Sequence, residues 1–168
     1  MSAPPTALAV KPDTIPDELK ARGQWVGWRF APKRNKSDEW TKVPHNAHTG
    51  GEASSTHPAT WAPFDDALAA ADRHGWDGIG YVFSIADPYT GIDLDNCRDP
   101  LTGVLKPWAA KIVADLDSYT ESSPSGTGVH IIVKAVLPTG RRRSGPIEMY
   151  DQRRFFTFTG FRIDGDRS

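Results

Sequence analysis

Two short apolar stretches limit the fold more than anything else in this chain. They are residues 78–84 (Gly-Ile-Gly-Tyr-Val-Phe-Ser) and 90–95 (Thr-Gly-Ile-Asp-Leu-Asp), with Asp87-Pro88 between them. Both are too short for a helix that could stand in a core and both alternate with period two, so both read as strands. Asp-Pro starts a turn, which predicts that the two strands form a hairpin. The same pattern recurs. Residues 24–30 place Val26, Trp28 and Phe30 on one face, and residues 40–43 return after a polar, basic loop at 31–39. Residues 129–136 form a buried strand, and 146–150 and 155–159 close the chain around a turn at Asp151-Gln152-Arg153. Helices are predicted over 16–22, 59–74 and 105–116. In the second, Trp61, Phe64, Leu68 and Ala71 share a stripe and Gly75 ends the helix; in the third, Trp108, Ile112 and Leu116 do so. Short strands joined by turns, with few helices between them, favour α+β over a doubly wound parallel sheet.

Charge and cysteine usage exclude several functions. The formal net charge is −1, so contact with nucleic acid has to come from a local patch rather than a global field. Arg141, Arg142 and Arg143 supply such a patch and suit a DNA-backbone contact. Cys97 is the only cysteine, which excludes an internal disulfide and a cysteine-based zinc site. His45, His48 and His57 lie in an irregular stretch at 44–58, and with His74 they show no zinc-ligand spacing, so no zinc is expected. No apolar run approaches the roughly 20 residues of a membrane helix. Residues 1–14 read as a disordered leader, 15–161 as one domain, and 162–168 as a polar tail.

Four features carry chemistry. In Gly91-Ile92-Asp93-Leu94-Asp95-Asn96, strand alternation sends Asp93 and Asp95 to one face and Ile92 and Leu94 to the core. Two carboxylates about 7 Å apart on one face repel, so a cation must offset them or water must solvate them. Hard oxygen ligands of this kind suit Mg²⁺ or Mn²⁺; the plain alternative is a strand end carrying two exposed acids. Ser123-Pro124-Ser125-Gly126-Thr127-Gly128-Val129-His130 is a small-residue turn running into a strand. It reads as an anion cradle at Ser125, Gly126 and Gly128 with His130 aimed at the same ligand, or as a flexible turn before a half-buried histidine. Glu148, within Ile147-Glu148-Met149-Tyr150, shares a face with Tyr150 and gains interest only if it meets the two aspartates. Three acids and a histidine together would make a phosphoryl-transfer site of the two-metal kind. Last, Lys42 and Arg154 are cations at strand edges, suited to a triphosphate or simply to edge protection.

The order of these motifs resembles the archaeo-eukaryotic primase superfamily, and within it the bifunctional primase-polymerase domains of phage and plasmid replication proteins. The phrases Trp25-Val26-Gly27-Trp28-Arg29, Lys42-Val43-Pro44, Ala53-Ser54-Ser55-Thr56, Gly78-Ile79-Gly80-Tyr81-Val82-Phe83 and Phe156-Thr157-Phe158-Thr159-Gly160 carry it further, over about residues 16–160. The resemblance implies an α+β catalytic core with an RNA-recognition-motif-like antiparallel sheet beside an N-terminal α/β module. It implies that Asp93, Asp95 and Glu148 bind two Mg²⁺ or Mn²⁺ ions, and that Ser125, Gly126, Gly128 and His130 hold the phosphates of a dNTP or NTP. Arg154 and Lys42 are carried over as looser matches. The implied partners are template DNA and primer, with a helicase domain beyond the polar tail, in a bacterial host cytoplasm. Two rival functions use the same residues: a metal-dependent nuclease, and a non-catalytic DNA-binding module of a replication initiator.

Overall fold

A computed structural model describes residues 3–163, apart from the side chain of residue 37. Nine strands form two antiparallel sheets among these residues. The first sheet runs β2-β1-β3-β9, with β1 at Trp25–Lys33, β2 at Lys36–His45, β3 at Gly78–Phe83 and β9 at Arg154–Phe158. The second runs β5-β6-β4-β8-β7, with β4 at Tyr89–Leu94, β5 at Tyr119–Ser122, β6 at Val129–Lys134, β7 at Arg143–Ser144 and β8 at Ile147–Tyr150. Three helices accompany them: α1 at Asp17–Lys20, α2 at Phe64–His74 and α3 at Pro107–Leu116. The class is α+β, as the strand pattern implies. The sheet built mainly from the N-terminal half takes its fourth strand from the far end of the chain, so it is not a sequence-continuous module.

The predicted hairpin at Asp87-Pro88 is not a hairpin. β3 and β4 belong to different sheets, and so do β8 and β9 on either side of the turn at Asp151-Gln152-Arg153. The reversal at Asp87-Pro88 is real. Asp87 accepts hydrogen bonds from the backbone amides of Ser84 and Tyr89 and from the hydroxyl of Tyr81. The turn delivers the chain into a second layer instead of back along the first. β3 is fully buried between β1 and β9, which occupy both of its edges and leave β4 none. A long hairpin lies where the sequence predicts a loop. β1 and β2 stay paired out to Lys33 and Lys36, so the basic stretch 31–39 is mostly strand.

The two sheets share one core. Trp25, Ile79, Tyr81, Phe83 and Phe158 of the first sheet meet Tyr89 and Ile132 of the second, with Phe64 and Ala67 of α2. Rings of Phe64, Tyr81 and Phe158 stand edge-on to Trp25 at centroid distances of 4.9, 5.3 and 5.1 Å, a geometry favoured by the ring quadrupoles. The outer face of the second sheet presents Ile92, Leu94, Val129 and Ile131 to Ala109 and Val113 of α3. Alternation along β4 therefore sends Ile92 and Leu94 toward α3, and Asp93 to the opposite face, toward the first sheet. α2 is shorter than predicted, because Pro58–Thr60 forms a separate 3-10 turn; Gly75 does end it, in the left-handed conformation at φ 67°. Part of the expected leader is engaged: the Leu8 amide donates to the Pro124 carbonyl, and the Lys11 amide to that of Thr159. The end of the polar tail, 164–168, lies outside the described residues. No helix among the described residues is long and apolar enough to cross a membrane.

Candidate functional site

Strand register assembles the site. Asp93 on β4 stands directly opposite His130 on β6 and, on its other side, opposite Glu148 on β8. His130 in turn faces Glu121 on β5, and Glu148 faces Arg143 on β7. Directly opposed residues in antiparallel strands project to the same side. Glu121, His130, Asp93, Glu148 and Arg143 thus form one row of charge straight across the sheet. Asp95 lies two residues beyond Asp93, on the same side.

Of the predicted acids, Asp93 and Glu148 face each other across β4 and β8 and line one cleft, with His130 and Arg143 against them; Asp95, one residue past β4, is not among the residues lining that cleft. His130 Nε2 lies 3.4 Å from Asp93 Oδ1, and Arg143 Nη1 lies 3.1 Å from Glu148 Oε1. His130 Nδ1 donates to the Thr157 carbonyl at 3.0 Å. Both ring nitrogens face oxygen acceptors, which favours the cationic ring. Burial alone would lower the His130 pKa, but the Asp93 contact and the Glu121 charge outweigh it, and the net direction is upward. For Asp93 burial pushes the carboxyl up, and the His130 contact with the charges of Lys42 and Arg143 bring it below the ordinary value. Asp95 lacks such a partner: burial, then the Asp93 and Glu148 charges, raise it.

The row opens into a cleft of about 430 Å³. Asp93, His130, Glu148 and Tyr150 line it from the second sheet; Phe30, Lys42, Arg154 and Thr157 are among those that line it from the first. Lys42 comes from β2 and Arg154 from the start of β9, so the two loosest sequence candidates do face the acids. Arg154 lies over the Tyr150 ring at 4.6 Å. Thr157 is buried behind the cleft wall, and its Oγ1 has no hydrogen-bond partner among the described residues.

The small-residue turn is placed differently from His130. Ser125, Gly126 and Gly128 are not among the residues lining the cleft. The turn packs at the Asp95 end of β4. Thr127 O accepts from the amides of Cys97 and Arg98, and Ser125 Oγ is bonded to Thr127 Oγ1 at 2.7 Å. Gly128 is required by proximity, since a Cβ there would lie 2.8 Å from Leu94 O. Gly126 adopts φ 81°, the left-handed region that suits glycine. In this arrangement the turn holds the end of β4 that carries Asp95.

Sequence reasoning misses Glu121 and the pairing role of Arg143. Glu121 is fully buried; its carboxylate accepts from the Thr159 and Gly160 amides and the Tyr119 hydroxyl, and sits 4.0 Å from His130 Nδ1. The period-two alternation of Tyr119-Thr120-Glu121-Ser122 is the signal that could have found it, obscured by its polarity.

The carboxylates suit hard divalent cations in donor type and in shared face. Among the described residues, however, no three His, Cys, Asp or Glu side chains converge into a ready-made metal shell. Glu148 and Asp93 are turned toward Arg143 and His130, so Glu148 would exchange an ion pair for a metal. Exposed pairs of this sort are worth about 0–1 kcal/mol, which makes that exchange easy.

No family profile matches the chain. A DNA primase-polymerase of Nitratiruptor phage NrS-1 is 37% identical to it over 153 residues, which is 88% of this chain. The chain spans 20% of that protein's own length. A likeness at this identity over 88% of the chain supports a primase-polymerase family assignment.

Proposed function

We propose that the cleft carries out template-directed nucleotidyl transfer, adding dNTPs or NTPs to a primer on DNA in phage or plasmid replication. The observation that carries this reading is the cross-strand row. Two carboxylates of adjacent strands and a histidine held against one of them face a cleft whose other wall holds Lys42 and Arg154. Acids on one side and donors on the other is the division needed to bring a polyanion to metal ligands without repelling it.

Asp93, Asp95 and Glu148 would hold two Mg²⁺ or Mn²⁺ ions, which lower the pKa of the attacking 3′-hydroxyl and stabilise charge on the departing pyrophosphate. The chain's own residues do the positioning. His130, locked between Thr157 O and Asp93, keeps one positive charge beside the reacting phosphate. Lys42 and Arg154 draw the triphosphate against the acidic row. Rigid placement of this kind lowers the barrier through alignment and preorganised charge.

Primer extension on a labelled template with Mg²⁺ or Mn²⁺ tests the reading. Longer products mean polymerase, and shortened primer means nuclease. Asp93→Asn and Glu148→Gln should each reduce extension by at least about a hundredfold, the scale of removing one electrostatic interaction from a transition state. Extension by Asp93→Asn at the wild-type rate would overturn the assignment.

A further inference from the structure

The cleft does not end at the acids. A second cavity, of about 330 Å³, shares Tyr150 and Arg154 with it and adds Arg142, Gln152 and Arg153. A third, of about 470 Å³, shares Gln152 and Arg153 with the second and adds Trp61, Thr56 and Ile85. Through these shared residues the three cavities adjoin one another over the elbow where the chain passes from β8 to β9. Their chemistry changes from one to the next. Acids line the first, whereas among the described residues lining the other two there is no carboxylate. Asp151, inside the elbow, is turned away and accepts from the Leu137 amide.

The outer two are also rigid. Arg153 holds the left-handed conformation at φ 60°, uncommon outside glycine. Its amide donates to the Phe83 carbonyl and its carbonyl accepts from Ser55 Oγ, so the elbow is tied to β3 and to the 54–56 segment. Trp61 is half-buried and fixed by its indole N–H, which donates to Ser54 O at 2.7 Å. Ile85, 83% exposed, adds an apolar lip.

We infer that these cavities, from Tyr150 and Arg154 across Arg153 to Trp61, form a track for single-stranded DNA leading to or from the cleft. It rests on reading the cleft as a polymerase site. Guanidinium groups bind phosphates without regard to sequence, and fixed aromatic and apolar faces take bases that have no partner strand. A duplex hides its base faces and would leave Trp61 and Ile85 unused.

The test is fluorescence anisotropy with labelled oligo-dT across a salt series, in EDTA and without nucleotide, so that it depends on none of the acids. Trp61→Ala should weaken binding five- to thirtyfold, and Trp61→Phe should stay within twofold of wild type. Arg153→Asn, which tolerates the left-handed backbone, should reduce the slope of log K against log salt by about 0.7, the value for one phosphate neutralised on a single strand. The track is refuted if Arg153→Asn leaves the slope unchanged, if Trp61→Ala folds and binds as wild type, or if duplex DNA or polyglutamate displaces oligo-dT as well as unlabelled oligo-dT does. Should Trp61→Ala not fold, the Arg153→Asn slope decides alone. Variants that lose oligo-dT in a protein that extends no primer would leave the track standing and remove the polymerase reading. Extension with unaltered oligo-dT binding would do the reverse.

Discussion

Replacing Glu121 should cost more stability than replacing any of the acids that face the cleft. Its carboxylate sits on β5 of the second sheet and accepts from the Thr159 amide at 2.8 Å and the Gly160 amide at 3.2 Å, just past β9 of the first. It also accepts from the Tyr119 hydroxyl at 2.7 Å. In Glu121→Ala these donors are left without that acceptor, while Thr159 Oγ1 keeps Ser122 O. Leaving a buried donor unmet costs about 1–3 kcal/mol. Part of the sum returns, because burial already penalises the charged carboxyl and raises its pKa. A net loss of about 3–5 kcal/mol follows, the range for breaking a buried charged group out of its network. Glu121→Gln keeps the shape and one oxygen but turns an NH₂ toward a donor, for about 1–3 kcal/mol. Urea unfolding reads both as shifts in midpoint at constant slope. A loss under about 1 kcal/mol for alanine, or glutamine less stable than alanine, would refute the view that this side chain fastens one sheet to the other.

Three further outcomes are expected. Gly91→Ala would put a Cβ 2.5 Å from Phe83 Cζ and 2.6 Å from Phe156 Cε2, so it should destabilise by about 1–3 kcal/mol in the same unfolding assay; a neutral result would mean the two rings move freely. Arg143→Ala should tighten Mn²⁺ binding about two- to fivefold, measured by the decrease of the free-ion EPR signal, because Glu148 no longer has a competing cation; weaker binding would count against Glu148 as a ligand. The Tyr89 hydroxyl and Lys134 hold Glu18 below its ordinary value of 4.5. A depressed folded pKa gives stability that is present above 4.5 and lost as pH falls through the folded value. Glu18→Gln should therefore lower the urea midpoint at pH 7, with a deficit that shrinks as the pH is taken down below 4.5; a deficit that stays constant as the pH falls would contradict this.

Much of this architecture is legible in the sequence, and what is not has a common cause. Alternation along residues 90–95 is enough to send Asp93 and Asp95 to one side, because the pleat depends on local geometry alone. Most strands and α3 are found close to where their patterns place them. Turn chemistry reports that a chain reverses, not what it pairs with afterwards. Asp87-Pro88 thus reads as a hairpin turn although it joins different sheets. Glu121 escapes notice for a related reason: a glutamate in Tyr-Thr-Glu-Ser reads as solvated, and only the amides of Thr159 and Gly160, far along the chain, make its burial tolerable. The meeting of Glu148 with Asp93 is a matter of register between β4 and β8, and nothing in either segment alone encodes it.

That register has a consequence for how the domain tolerates genetic change. Side chains on β8 alternate Ile147, Glu148, Met149, Tyr150, with Glu148 opposite Asp93. Deleting or inserting a single codon in the short reversal between β7 and β8 would slide the ladder by one step. An oily residue would then face the acids, and the glutamate would be driven against α3. Point changes in that reversal are limited by the backbone rather than by space: no atom lies within 4 Å of a Cβ built on Gly145, but its φ of 57° is left-handed and favours glycine. In descendants of this domain the reversal is accordingly expected to keep its length, and a glycine or asparagine at position 145.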